Sequence, residues 1–170
     1  MKLSDLLLCT SLLYIRIFSV LNKKSLVLIA SVLAIGGCAS PGPMQTVTGP
    51  INTSAFEPVI LDTVKDGSNR VHFKEWTTMY ENKELQQWGV FFITDKGIYM
   101  AEWDMRGYEY NLRYKLPINE LDTVSDDMVV RDMWIDSNLL ILKDRSGHSV
   151  GFALNGKNAA RSILKEIGLK

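Results

Sequence analysis

The chain has 170 residues, of which 46% are hydrophobic and 9% aromatic, and its 19 Lys and Arg are balanced by 19 Asp and Glu. This length fits one modest domain and excludes a multidomain enzyme. Both cysteines, Cys9 and Cys38, lie in the apolar N-terminal third, so the rest of the chain cannot be a disulfide scaffold and must be held by its hydrophobic core.

The N-terminal region has the pattern of a secretory signal. The basic pair Lys23-Lys24 precedes an apolar run over residues 25–35, and two glycines separate this run from Cys38. Basic, apolar and small-residue zones in this order are typical of a cleaved signal peptide. The run is too short to span a bilayer, which takes about 20 apolar residues as a helix. We therefore predict that residues 1–37 are a signal peptide.

The end of this segment, Leu33 to Cys38 (LAIGGC), resembles the lipobox of bacterial lipoproteins. The resemblance implies that Cys38 carries a diacylglyceryl group, that the signal is cut just before it, and that a fatty acid such as palmitate acylates the new amino group. Ala39 follows the cysteine, and in a host with an outer membrane this implies transfer to that membrane, facing the periplasm. The chain is therefore expected in the cell envelope, attached to the membrane through its lipid anchor.

Residues 1–20 fit a signal peptide less well. They contain a second apolar run, which Arg16 interrupts, and a 37-residue presequence exceeds the usual length of about 15–30 residues. One hypothesis is a misassigned start, with the natural product beginning near Leu21. Beyond residue 37 the chain keeps 15 of the 19 basic groups and 18 of the 19 acidic groups, a formal net charge of −3, which indicates that nucleic acid is not a partner.

Residues 38–55 are predicted to be the lipidated cysteine and a flexible tether, because Pro and Gly alternate with small polar residues there. Residues 56–170 are predicted to form one domain rich in β-strands. Its first strands are expected over residues 59–65 and 71–77. A hairpin over residues 88–103 turns at Asp95-Lys96-Gly97, where the glycine suits a left-handed position.

Further strands are expected after this hairpin. In Tyr108 to Leu116 the apolar and polar residues alternate, which predicts a half-buried strand with Tyr110 and Tyr114 on one face. Two short strands, 121–125 and 128–135, are expected around an acidic turn at Asp126-Asp127, and a last hairpin is expected over residues 138–154. The last predicted element is a helix, which Asn155 would cap and in which Ala159, Ile163 and Ile167 recur every four residues.

Six to eight antiparallel strands followed by one helix resemble the pleckstrin-homology-like (PH-like) and GRAM-like domains of bacteria. The segments GVFFITDKGIYM, LPINELDTV and NLLILKDRSGHSVGFALNGKNAARSILKEI carry the resemblance, which covers residues 88–167. It implies a mainly β fold, an antiparallel barrel or roll with one C-terminal α-helix. The basic cluster of phosphoinositide-binding members is not matched, because only Lys96 and Arg106 occupy the corresponding hairpins.

The sequence offers little catalytic chemistry. After residue 37 it contains two histidines, His72 and His148, and no metal-ligand, phosphate-binding or nucleophile motif, so no catalytic residue, metal or cofactor is predicted. Glu102 and Asp104 would share one face of a strand and could imitate an acid–base pair. A solvated face is the alternative interpretation of these two carboxylates.

The predicted turn at residues 103–108 is the candidate interface. It brings together residue types that are enriched at protein interfaces, namely Trp103, Met105, Arg106 and Tyr108. The favoured hypothesis is a non-catalytic, lipid-anchored protein that binds an envelope protein partner at this turn. The alternatives are a carrier of a small ligand or lipid, and a cell-wall hydrolase that uses Glu102 and Asp104.

Overall fold

The computed structural model describes residues 42–131 and 134–168, and all structural statements below concern these residues. Seven antiparallel strands form one sheet in the order β4-β3-β2-β1-β7-β6-β5. The strands are β1 (Val71–Glu81), β2 (Glu84–Thr94), β3 (Gly97–Asp104), β4 (Glu109–Pro117), β5 (Leu121–Arg131), β6 (Trp134–Asp144) and β7 (Ser149–Phe152). The helices are α1 (Phe56–Val64) and α2 (Lys157–Ile167), with short 3-10 helices at Pro43–Gln45 and Ile118–Glu120.

The predicted class is confirmed as mainly β, with seven strands and a C-terminal helix. The sheet is open, since β4 and β5 lie at its two edges and each is paired on one side in the described part of the chain. β1 joins the two halves of the sheet: most of its length pairs with β2, and its last residues, Met79 to Glu81, pair with β7.

The inner face of the sheet packs against α2. Buried side chains from both halves of the sheet meet there, including Phe91 of β2 and Phe152 of β7, whose ring centroids are 4.7 Å apart. The helix contributes Ala160 and Leu164, both fully buried. An eleven-residue helix is marginal alone, so this apolar stripe provides most of its stability.

The start of α2 differs from the expectation that Asn155 caps it. Gly156 is the N-cap residue, and Asn155 instead bonds to Glu75 of β1. The Glu75 carboxylate accepts hydrogen bonds from the backbone N–H groups of Asn155 and Gly156 at 2.7 and 2.9 Å. A carboxylate from the sheet thus satisfies donors at the positive end of the helix.

The outer face of β2, β3 and β4 carries a second core. Phe56 and Ile60 of α1 are fully buried there against Phe92 and Tyr110. The predicted strand over residues 59–65 is therefore wrong, because residues 59–64 belong to α1 and Lys65 is its C-cap. Phe56, Ile60 and Val64 recur every four residues, which is the spacing of one helix face.

The segment before α1 also packs on this face, which contradicts the expectation of a flexible tether over residues 42–55. Ile51 is buried, and Met44 packs against the same core. Residues 38–41 of the predicted tether, including Cys38, lie outside the described residues.

Two other strand predictions need correction. Asp126 and Asp127 are not a turn, because β5 continues through them while pairing with β6. The second correction concerns β4, where the pairing shifts register opposite Met100 and Ala101. As a result Tyr110 packs in the outer core and Tyr114 in the inner core, although they were expected on one face.

Candidate functional site

The predicted interface at the β3–β4 turn is built on a buried aromatic pair. Trp103 of β3 lies directly opposite Tyr110 of β4, and their ring centroids are 4.7 Å apart in an edge-to-face arrangement. Trp103 donates from Nε1 to the carbonyl oxygen of Met44 at 3.0 Å, and the Tyr110 hydroxyl donates to that of Thr48 at 2.9 Å. Burial also raises the pKa of Tyr110, so its hydroxyl remains a donor at neutral pH.

This packing corrects the expected position of one site residue. Trp103 is only 5% exposed, so it supports the turn and does not form its surface. The N-terminal segment covers it: a Cβ added at Gly49 would lie 2.5 Å from Cδ2 of the Trp103 ring. This close approach requires glycine, which also has a φ of +59° there.

The other three predicted interface residues are exposed on the turn. Met105 is 45% and Tyr108 52% exposed, and Arg106 is exposed between them. The Asp104 carboxylate accepts a hydrogen bond of 2.8 Å from the Arg106 backbone N–H, which holds the turn in one conformation. Tyr108 has a φ of +53°, in the left-handed region, so the backbone that carries its exposed side chain is strained.

Tyr108 borders a groove between the turn and α1. The groove is lined by Val59, Asp62 and Lys65 from the helix region and by Tyr108 and Glu109 from the start of β4. It runs beside an edge strand, since β4 pairs only with β3 in the described residues. An extended segment of another protein could therefore contact both the groove and the free edge.

Met105 borders a different surface, which we call the tryptophan face: Val47, Trp76, Trp88 and Met105. These residues line one shallow depression, with Trp103 and Glu102 at its base and border. Val47 is 59% and Trp88 57% exposed, and Trp76 is half-buried. Neither Trp76 nor Trp88 was predicted as a site residue, because the two lie on different strands and the face forms only when β1 pairs with β2. The pairing of Thr78 with Trp88 puts Trp76 and Trp88 on one face, which an alignment of the two predicted strands could have indicated.

Glu102 and Asp104 both take part in structural contacts. The Glu102 carboxylate accepts hydrogen bonds from the Gln87 amide and from the guanidinium of Arg113, each at 2.8 Å. Asp104 accepts the turn hydrogen bond described above. The two carboxylates thus have separate partners, and no observation favours the hydrolase alternative over the solvated-face interpretation.

The two histidines lie near opposite ends of β1, His72 at its start and His148 beside Glu81 at its end. His72 Nε2 lies 2.5 Å from a carboxylate oxygen of Asp95, and His148 Nε2 lies 2.6 Å from one of Glu81. The hydrogen bond from His72 holds the pKa of Asp95 below its usual value. Within residues 42–131 and 134–168, no group of three or more metal-ligating side chains occurs.

One half-buried carboxylate, that of Asp66, lies beneath the β2–β3 hairpin. Asp66 accepts hydrogen bonds of 2.8 Å from the Thr94 and Tyr99 hydroxyls and from the backbone N–H of Ser68. Burial acts to raise the pKa of Asp66, but these hydrogen bonds outweigh it and lower the pKa. Burial and the Asp66 charge together raise the pKa of Tyr99. The cluster connects the loop after α1 to the sheet.

Comparisons with protein-family models and with curated protein sequences give no match. Among solved structures, the C-terminal domain of an unknown protein from Leishmania infantum is similar over 66% of this chain and 97% of its own, with 15% identity and a TM-score of 0.47. Two structures of Vav1, one with an allosteric inhibitor and one autoinhibited, are similar over 59% of this chain, with 16% identity and TM-scores of 0.43.

This chain spans only 27% and 18% of the two Vav1 chains. At these identities the likeness concerns the fold alone. No helix among the described residues has the length and apolar character needed to cross a bilayer.

Proposed function

We propose that this chain is a lipid-anchored protein of the bacterial cell envelope, and that its PH-like domain binds a protein partner without catalysing a reaction. The observation that carries the proposal is the ordered signal ending at Cys38, since a basic pair, an apolar run and a small-residue site precede the only cysteine after residue 37. Each acyl chain contributes about 0.8 kcal/mol per buried CH₂, so two or three chains make the attachment stable.

The partner-binding part of the proposal is supported by the turn at residues 104–108. Arg106 and Tyr108 are exposed there, and a side-chain hydrogen bond and the buried Trp103–Tyr110 pair hold the turn. A preformed turn loses little conformational entropy on binding, and Tyr and Arg are the residue types that anchor interfaces. The neighbouring groove extends the available surface, as does the edge of β4, which has no partner strand on that side among the described residues.

Metabolic labelling with a fatty-acid analogue tests the anchor. We expect the wild-type chain to be labelled and to fractionate with membranes, and Cys38→Ala to lose both properties. Cys9→Ala is the matched control, because Cys9 is the other cysteine and lies within the predicted signal peptide. An unlabelled wild-type chain, or a Cys38→Ala chain that keeps the label, would refute the anchor.

Photo-crosslinking in cells tests the partner site. A photoreactive residue in place of Tyr108 should yield a defined protein adduct, and Arg106→Ala in the same chain should reduce its amount. Arg145→Ala is the control, because Arg145 is exposed on the β6–β7 turn. An adduct that Arg106→Ala and Arg145→Ala affect equally would place the partner elsewhere.

A further inference from the structure

The N-terminal segment and α1 cover only part of the outer face of the sheet. Phe92 and Tyr99, in the middle of β2 and β3, are buried under α1. Towards the other end of β2, Trp88 is 57% exposed although it lies on the same face. Val47 and Met105 flank it and complete the tryptophan face as a continuous apolar surface.

The chain reaches the domain beside this face. Gly42 is the first described residue, and two residues later the Met44 carbonyl accepts the hydrogen bond from Trp103, which lies at the base of the tryptophan face. Only four residue steps separate Cys38 from Gly42, which is at most about 14 Å of extended chain. The headgroup layer on one side of a bilayer is about 5–8 Å thick. An acylated Cys38 would therefore hold the first turn of the domain close to the lipid headgroups.

We infer that the tryptophan face rests on the lipid bilayer to which Cys38 is anchored, with Trp88 and Val47 at the boundary between headgroups and acyl chains. This inference rests on the proposed acylation of Cys38. Tryptophan prefers this boundary because its ring is largely apolar while its N–H can bond to polar groups. Val47 and Met105 add apolar surface that can contact the lipid acyl chains.

The charges around the face do not oppose contact with lipid. They also do not drive it, so the contact is apolar. Glu102 borders the face, and the Arg113 guanidinium neutralises it at 2.8 Å. The chain after residue 37 has a formal net charge of −3, so attraction to anionic headgroups does not provide the binding energy. The contact depends on apolar area and on the short distance to the anchor.

This orientation separates the two surfaces that meet at the β3–β4 turn. Met105 lines the tryptophan face, whereas Tyr108 lines the groove beside α1. The proposed partner surface thereby narrows to Arg106, Tyr108 and the groove, and Met105 belongs to the lipid contact.

Spin labels on the full acylated chain test the inference. The chain is reconstituted into vesicles of phosphatidylethanolamine and phosphatidylglycerol, with one label introduced through Val47→Cys or through Val130→Cys. The two valines are similarly exposed, at 59% and 54%, and Val130 lies on the edge strand β5. Accessibility of each label to oxygen, which enters lipid, and to a water-soluble nickel complex is then measured by electron paramagnetic resonance.

We expect the Val47→Cys label to be more accessible to oxygen and the Val130→Cys label to the nickel complex. Trp88→Glu in the Val47→Cys chain should shift its label towards the nickel complex, because a charge at the boundary opposes insertion. Equal accessibility profiles for the two labels on an acylated chain would overturn the inference and leave the anchor intact. A Val47→Cys label shielded from both reagents would also overturn it, in favour of a protein on this face. A mass spectrum showing unmodified Cys38 would refute the anchor and the inference together.

Discussion

The indole N–H of Trp103 and the carbonyl oxygen of Met44 are joined by a hydrogen bond of 3.0 Å across 59 residues of sequence. The bond ties the strand that leads into the β3–β4 turn to the first turn of the described chain. Residues 42–55 are consequently part of the domain, and the turn that carries the candidate interface depends on them for its support.

Replacing Trp103 by Phe should therefore destabilise the domain. The change removes the donor, leaves the Met44 carbonyl without its partner and opens space in the outer core, so we expect the free energy of unfolding to fall by about 2–4 kcal/mol. Urea denaturation followed by circular dichroism measures the loss. Trp88→Phe makes the same chemical change at an exposed position and should shift the value by less than about 0.5 kcal/mol. Similar losses for the two variants would contradict the role given to Trp103.

The contact between Gly49 and the Trp103 ring makes a separate prediction. Gly49→Ala forces a Cβ to 2.5 Å from the ring and strains a backbone with a φ of +59°. Gly67→Ala provides the control, because Gly67 has a φ of +80° but nothing within 4 Å of an added Cβ. We expect backbone strain alone to lower the free energy of unfolding by about 1–2 kcal/mol in Gly67→Ala. The loss in Gly49→Ala should be larger. Equal losses in thermal unfolding would show that the segment can move away from Trp103 without cost.

The half-buried, hydrogen-bonded carboxylate of Asp66 should make stability depend on pH. Its pKa is lower in the folded chain than the usual 3.8, so the stabilisation is present above pH about 5 and is lost as pH falls through the folded pKa. The wild type should exceed Asp66→Asn in the free energy of unfolding by about 1–3 kcal/mol at pH 7, and the difference should shrink towards pH 3. Asp62→Asn, at an exposed position of α1, is the control. A constant difference across this range would show that the carboxylate charge does not stabilise the cluster.

Glu75 should stabilise the start of α2 from the neighbouring sheet. Glu75→Ala removes the acceptor for three hydrogen bonds from Asn155 and Gly156, so we expect a loss of about 1–2 kcal/mol in the free energy of unfolding. Amide hydrogen exchange should show the largest loss of protection in the first turn of α2. Glu84→Ala, an exposed carboxylate on β2, should have little effect. Unchanged protection of α2 in Glu75→Ala would refute this capping role.

Local patterns predicted most of the strands and the last helix, because their information lies within short stretches of sequence. The β2–β3 hairpin was expected from two apolar runs around Asp95-Lys96-Gly97, and the structure has strands there. The amphipathic spacing of α2 likewise needs no knowledge of distant residues. For α1 the helical spacing of Phe56, Ile60 and Val64 was available, but the apolar stretch after Pro58 also fits a short strand.

The candidate site was harder to predict because it depends on contacts between distant segments. Trp103 stands in a sequence typical of an exposed turn, and only the return of residues 42–51 over the sheet buries it. The register shift in β4 has a similar effect, since an added residue between paired strands moves Tyr114 to the opposite face from Tyr110. Neither feature has a short-range signal in the sequence.

The burial of β2 and β3 on both faces has a practical consequence for handling this protein. A chain that begins at residue 70 would keep every strand but would lose the segment that covers Val90, Phe92 and Tyr99. These three side chains are buried in the full domain. Such a fragment would expose a large apolar surface of the sheet, and it would precipitate or self-associate. Soluble material for the experiments above has to retain the residues from Gly42 onwards.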